Sequence, residues 1–186
     1  ELDRQNGGAW ALSATILAPK QNRLKEALKA AVHAVALDAG GVDLVLLKAD
    51  LLLAEGSATA AEESLTKALE KDMMNGELRA RIATRHLLDG RPDDAQKLLD
   101  ETPVGIDHAL LHVVEGRLHL VNADKERDGT GETDATLLSV AISAFEGALK
   151  LNRELGVAWL GMARTNRLLR NLDAAEEALT LSLIHI

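Results

Sequence analysis

Five alanines recur in one register along this chain of 186 residues: Ala27, Ala61, Ala95, Ala141 and Ala175, separated by 34, 34, 46 and 34 positions. The longer interval equals 34 plus 12. Four residues after each alanine stand Ala31, Leu65, Leu99, Phe145 and Leu179, and seven after stand Ala34, Ala68, Thr102, Ala148 and Ser182. Offsets of four and seven share one face of a helix. Upstream of each alanine lies a second apolar-periodic stretch, over residues 9–18, 43–55, 76–89, 107–122 and 157–169. Each unit is therefore a pair of helices. Such a pair cannot bury its apolar faces alone, so successive pairs must stack. The spacing predicts an all-α chain, an α-α superhelix (solenoid) of helix-turn-helix repeats over about 8–40, 41–74, 75–106, 107–154 and 155–180, with an insertion loop at 123–134.

The composition follows from that architecture. Alanine and leucine dominate, and only Trp10, Phe145 and Trp159 are aromatic. One compact core of this size would draw on more rings, whereas stacked thin cores need small residues where helices cross. Punctuation fits too: Pro19, Gly56, Gly90 and Asn171 lie at or near the turns, and Pro92 stands where a first-turn proline is tolerated. Thr59 with Glu62, and Asp173 with Glu176, have the spacing of a capping box. The acidic runs Asp93-Asp94, Glu62-Glu63 and Glu176-Glu177 fall early in second helices, where negative charge complements the helix dipole.

With these residues in place, the pattern resembles the tetratricopeptide repeat, a 34-residue helical hairpin with Trp-x2-Leu-Gly-x2-Tyr in its first helix and Ala-x3-Phe-x2-Ala in its second. Trp159 takes the tryptophan place of the last repeat, Met162-Ala163 the Leu-Gly place, and Ala175 and Leu179 the second-helix places; Trp10 plays the same part in the first repeat. The glycine place holds Ala14, Ala49, Ala83, Gly116 and Ala163. Arg79 and His112 depart from the pattern where tryptophan is usual, as do His86, His119 and Asn166 where tyrosine is usual.

The resemblance implies that the first helices line a concave groove for a partner protein or peptide. Its expected positions are Asp43, Leu46, Asp50 and Leu53, then Glu77, Ala80, Thr84 and Leu87, then Leu110, Val113, Arg117 and Leu120, then Val157, Leu160, Arg164 and Arg167. These read as apolar in the middle, acidic at the N-terminal end and basic at the C-terminal end. Such a stripe suits an amphipathic helix or extended peptide. The Lys and Asn clamp with which chaperone-binding relatives hold a terminal carboxylate is not reproduced. The function expected is that of a scaffold or adaptor, not an enzyme and with no cofactor. Its alternative is the substrate-recognition arm of a larger enzyme whose catalytic domain lies outside this chain.

Two further constellations are weighed against bland readings. His108, His112, Glu115 and His119 fall along one helix face at ligand spacing, yet a straight helix brings only two or three of them to one ion. His112 and His119 also occupy ring places of the repeat, so no metal site is expected. In the insertion, Asp124, Glu126, Asp128, Gly129 and Glu132 follow calcium-loop spacing, but Gly131 replaces the apolar eighth residue and Ala135 the closing Glu. A solvated acidic loop is expected instead. No nucleophile elbow, phosphate-cradling loop or zinc-protease motif is present in the sequence.

The net charge of −8 argues against nucleic acid or an anionic membrane as partner. The absence of cysteine removes disulfides and thiolate chemistry. No apolar run approaches a membrane span, since residues 42–54 are broken by Asp43, Lys48 and Asp50. Because the chain opens on Glu1 rather than Met, its natural start is expected upstream. Its last six residues, Leu181 to Ile186, resemble translated sequencing adapter and are expected to be an artefact of a fragmentary reading frame. An open apolar face on the final repeat is expected to favour self-association.

Overall fold

A computed structural model describes residues 5–130 and 134–184. These form helices α1 (Gly7–Leu17), α2 (Leu24–Ala36), α3 (Gly41–Ala54), α4 (Ala58–Lys71) and α5 (Gly76–Leu88), followed by α6 (Pro92–Asp100), α7 (Ala109–Thr130), α8 (Ala135–Leu151), α9 (Gly156–Leu168) and α10 (Leu172–Ile184). A short 3-10 turn, Gln21–Arg23, precedes α2. There is no strand among the described residues, and the fold is all-α, built of successive helical hairpins. The recurrent alanines explain why. Ala27, Ala61, Ala95 and Ala141 are each at most 1 % exposed, so every second helix from α2 to α8 sets a methyl-sized residue at its tightest crossing. Ala175, in α10, is half-buried.

Packing divides the chain within α5 into two compact units, Glu1–Leu78 and Arg79–Ile186. In the first, Ala14 and Leu17 of α1 meet Ala27, Ala30, Ala31 and Ala34 of α2 and Leu44 and Leu51 of α3, with Trp10 at the edge. The Trp10 ring stacks on His33 at 4.9 Å. In the second unit the core centres on Phe145, which is fully buried among α7, α8 and α9. A ring fits there because α7 and α9 each face it with a glycine. A Cβ built on Gly116 would lie 2.7 Å from the Phe145 ring, and one on Gly161 only 2.4 Å.

Three hairpin turns close in the same way. The amide of Ser57 donates to the carbonyl of Leu52 at 2.8 Å, that of Arg91 to His86 at 2.8 Å and that of Asn171 to Asn166 at 2.9 Å. The residue before each donor is left-handed: Gly56 at φ 79°, Gly90 at φ 70° and Arg170 at φ 60°. This is the Schellman closure, which satisfies the last carbonyls of one helix. It leaves no spacer before the next. Ser57 is the residue from which α4 starts, and α10 begins at Leu172, so Thr59 and Asp173 lie inside first turns and the expected capping boxes do not form. Of the acidic runs, Asp93-Asp94 falls in a first turn, whereas Glu62-Glu63 and Glu176-Glu177 lie one turn later.

The 12 extra residues also differ from expectation. Instead of a loop over 123–134, α7 continues to Thr130, and α8 starts at Ala135 behind Asp134. Ala123, Lys125, Glu126 and Arg127 are strong helix formers, so the chain extends an existing helix at little cost. The Asp134 carboxylate accepts from the Thr136 amide at 2.7 Å and caps α8. At the other end, residues 181–184 form the last turn of α10, with Leu183 and Ile184 exposed; His185 and Ile186 lie outside the described residues.

The substituted ring places are filled by other means. Arg79 is 5 % exposed, and its Nη1 donates to the Leu98 carbonyl at 3.2 Å. Burial holds this guanidinium below its usual range, with Glu101 acting in the opposite sense. Asn166 is buried and donates from Nδ2 to the Met162 carbonyl at 3.1 Å. Trp159 sits half-buried on the Phe145 cluster and donates from Nε1 to the Arg153 carbonyl at 2.8 Å.

Candidate partner-binding groove

In the second unit, α5, α7 and α9 enclose an open cavity of about 380 Å³. Thr84, Leu87 and Leu88 come from α5, Arg117, Leu120 and Val121 from α7, and Val157, Leu160, Gly161 and Arg164 from α9. On each helix the lining residues repeat at three and four positions, the spacing that keeps one face toward a neighbour. Leu120 is 3 % exposed and forms part of the floor, whereas Leu88, Leu160 and Val157 are 72, 50 and 39 % exposed. The cavity therefore offers aliphatic surface to whatever enters it.

Two guanidinium groups give it polarity. Arg164 Nη2 lies 3.0 Å from Asp124 Oδ2, so its charge is met within the chain. Arg117 is half-buried and has no ion pair among the described residues. Burial, and then repulsion from Arg164, hold its guanidinium below its usual range. A cation that has lost part of its hydration and gained no counter-charge is a ready partner for a carboxylate.

This cavity gathers Thr84, Leu87, Arg117, Leu120, Val157, Leu160 and Arg164 from the positions expected to line a groove. Arg167 is exposed but not part of its lining. Leu46, Ala80 and Val113 are buried at 7, 1 and 3 % exposure and present no surface to a partner, because their side chains fill helix crossings. Leu110 is half-buried against the Ala80, Ala83 and Ala95 cluster. Asp43 and Asp50 are exposed and Leu53 and Glu77 half-buried, all in the first unit. Leu88, Val121 and Gly161 line the cavity without having been expected there. The signal for Leu88 and Val121 was their doubling of Leu87 and Leu120, since two adjacent apolar residues on a helix widen the apolar face beyond one stripe.

The histidine helix places His108, His112, Glu115 and His119 along a separate cavity of about 370 Å³ beside α6. His112 is held by the chain's own carboxylates, Nε2 at 2.8 Å from Asp107 and Nδ1 at 3.6 Å from Glu115. His108 Nδ1 accepts from the Leu110 amide at 3.3 Å. His119 Nδ1 is buried without a hydrogen bond, as expected of an imidazole in a ring's place. Among the described residues no three His, Asp or Glu side chains converge on a point suited to a metal ion. In the candidate calcium loop, Asp124 is helical and paired with Arg164 and Gly129 falls within α7, while the side chains of Glu126 and Asp128, and Glu132 as a whole, lie outside what is described. No described helix is long and apolar enough to cross a membrane.

Residues 52–104 match the family profile described as tetratricopeptide repeat. No curated protein matches the chain. Among solved structures it is similar to the human IFIT1 dimer with PPP-AAAA, at 24 % identity and a TM-score of 0.71 over 98 % of this chain and 43 % of that one. It is similar also to a chain of the APC/C hetero-tetramer Cut9-Hcn1, at 17 % identity and a TM-score of 0.71 over 97 % of this chain and 37 % of that one. YrrB, a tetratricopeptide-repeat protein with an unusual peptide-binding site, matches at 18 % identity and 0.56 over 98 % of this chain and 88 % of that one. The chain thus spans less than half the length of the first two. At these identities the likeness concerns the fold.

Proposed function

We propose that this chain, a tetratricopeptide-repeat protein, works as a protein–protein interaction scaffold that seats a peptide or helix of a partner between α5, α7 and α9. The observation that carries this reading is the pairing, in one cavity, of exposed Leu88, Val157 and Leu160 with the Arg117 guanidinium, which has no ion pair among the described residues. The partner segment should present apolar side chains at helical or extended spacing around one Asp or Glu. Arg117 anchors the carboxylate, and the aliphatic surface supplies most of the affinity. On the first unit Asp43, Asp50, Leu53 and Glu77 serve recognition in their own right, and on the second Arg167 serves a basic rim. The same surface would serve as the substrate-recognition arm of a larger enzyme, which is the alternative.

The likeness to IFIT1 raises RNA as a second kind of ligand. The lining of the cavity favours peptide, because it contains no aromatic side chain on which a base could stack. A titration separates the two. A fluorescent helical peptide with leucines four apart and one central Glu should bind, and its Lys-for-Glu counterpart should bind about tenfold more weakly. Leu160→Glu should abolish binding, and Arg117→Gln should erase the preference for Glu. Binding of a 5′-triphosphate tetra-adenylate RNA with no peptide binding, or peptide affinity unmoved by Leu160→Glu, would overturn the proposal.

A further inference from the structure

The first unit holds a cavity that shares no residue with the groove. It encloses about 340 Å³, within the range of small-molecule sites. Its walls come from the end of α2, where Val35 faces inward, from α3 through Val42 and Val45, and from α4. Three lysines enter it as well: Lys48, one turn beyond Val45 on the same face of α3, and Lys67 and Lys71, four apart on α4. Lys67 and Lys71 stand at the rim with their side chains largely in solvent, as lysines normally do, whereas Lys48 is half-buried beside the aliphatic walls.

The carboxylates nearby do not balance these charges. Asp38 lies 3.7 Å from Lys71 and is taken up by it. Asp72 accepts from the Asn75 side-chain amide at 3.0 Å. Lys67 reaches Glu63 only at 4.0 Å, with both side chains largely in solvent. Lys48 has no ion pair among the described residues. Burial, and then repulsion from Lys67, pull its ammonium below the usual lysine range. The cavity is thus one counter-charge short.

We infer that this cavity is a binding site for a small amphipathic carboxylate, its acid group set between Lys48 and Lys67 and its hydrocarbon tail against Val35, Val42 and Val45. A single negative charge is what the lining lacks. The three valines give a tail somewhere to be buried, which a plain anion cannot use. Charge-assisted hydrogen bonds from Lys48 supply the orientation. Binding restores the counter-charge, so it raises the affinity of Lys48 for its proton, and binding weakens as pH rises through the free protein's Lys48 titration. The other groups facing Lys48 are Lys67, Lys71 and Asp72 from α4 and Asp38 from the end of α2.

The test is an amide NMR titration of the full chain with sodium octanoate, with octylammonium and inorganic phosphate as parallel arms. Octanoate should give saturable shifts at Gly41, Val42 and Ala68, octylammonium none, and phosphate a response at least about tenfold weaker, since it cannot use the valines. Lys48→Gln should weaken octanoate about tenfold and Lys48→Arg should largely keep it, with unchanged spectra elsewhere showing that both variants fold. Octanoate shifts that do not saturate, or that spread equally over Leu88 and Leu160, would overturn the site. Equal binding of octylammonium or phosphate, or a Lys48→Gln variant that binds as tightly as the parent, would do the same. The outcome is independent of the groove, which shares no residue with this cavity.

Discussion

Phe145 shows how much one residue can ask of its neighbours. It is the chain's only phenylalanine, and the two glycines facing it leave room for the ring and nothing more. Gly161→Ala would place a methyl carbon 2.4 Å from that ring, so the ring or α9 must shift; overpacking of this kind costs about 1–3 kcal/mol. Removing the ring by Phe145→Ala should cost about 3–5 kcal/mol. Urea unfolding of the single and double variants checks both values. The double variant should be less unstable than the sum, because the alanine at 161 then occupies space the ring has vacated. A different residue-scale strain sits at Arg170, which holds the left-handed position that Gly56 and Gly90 hold elsewhere at φ 79° and 70°. A side chain at φ 60° costs about 1 kcal/mol, so Arg170→Gly should raise the unfolding midpoint by that order, less the entropy a glycine adds to the unfolded chain. A lowered midpoint would show that the Arg170 side chain makes up for its backbone.

At the scale of elements, the hairpins were legible because one register recurs: an alanine, buried in four of the five repeats, and an apolar residue four positions on leave few ways to pair the helices. The turns were legible only as places. A capping box can be read from Thr59 and Glu62, but whether Thr59 precedes or enters the helix depends on the Schellman closure at Gly56, which the spacing does not reveal. The same limit hid the reach of α7. Residues 123–130 are polar enough for a loop, yet Ala123, Lys125, Glu126 and Arg127 are good helix formers, and helix won there because a formed helix propagates more easily than a new one starts. Asp134 then becomes the residue that starts α8, and Asp134→Ala should cost about 1 kcal/mol by loss of the bond to the Thr136 amide, read as a lowered urea midpoint.

The turn between α5 and α6 carries a pH-dependent element. Asp89 is held below the usual carboxylate range, first by the hydrogen bond from Arg85, with Arg91 at 3.4 Å adding to it. A depressed carboxylate contributes its stability above its unfolded titration and loses it as pH falls through the folded value. The parent and an Asp89→Asn variant should therefore differ in unfolding free energy at neutral pH and draw together at acid pH, as the depressed carboxylate takes up its proton. An unchanged difference at both pH values would mean that Asp89 acts through packing instead of charge.

At the scale of the molecule, the groove was only half legible. Helical spacing identifies which residues share a face but not how deeply each is set, and so Leu46, Ala80 and Val113 read as surface when they are core. Arg164 read as a free charge because its partner, Asp124, lies in the added length of α7, 40 positions away. Only the packing of α7 against α9 brings them together. That packing also shapes how the chain should come apart. Contacts run between helices adjacent in sequence, α1 on α2, α2 on α3, α7 on α8, α8 on α9 and α9 on α10, with α7 also meeting α9. In such an array stability is a sum of local terms and nearest-neighbour interfaces. Phe145→Ala should therefore speed amide exchange in α7, α8 and α9 while α1, α2 and α3, in the other unit, keep their protection in native-state hydrogen exchange. The residual protection of α1–α3 follows from the separate alanine core of Ala27, Ala30, Ala31 and Ala34, which shares no residue with the Phe145 cluster. Equal loss of protection in all ten helices would mean that the two units unfold as one, and that the repeats are coupled far beyond their immediate neighbours.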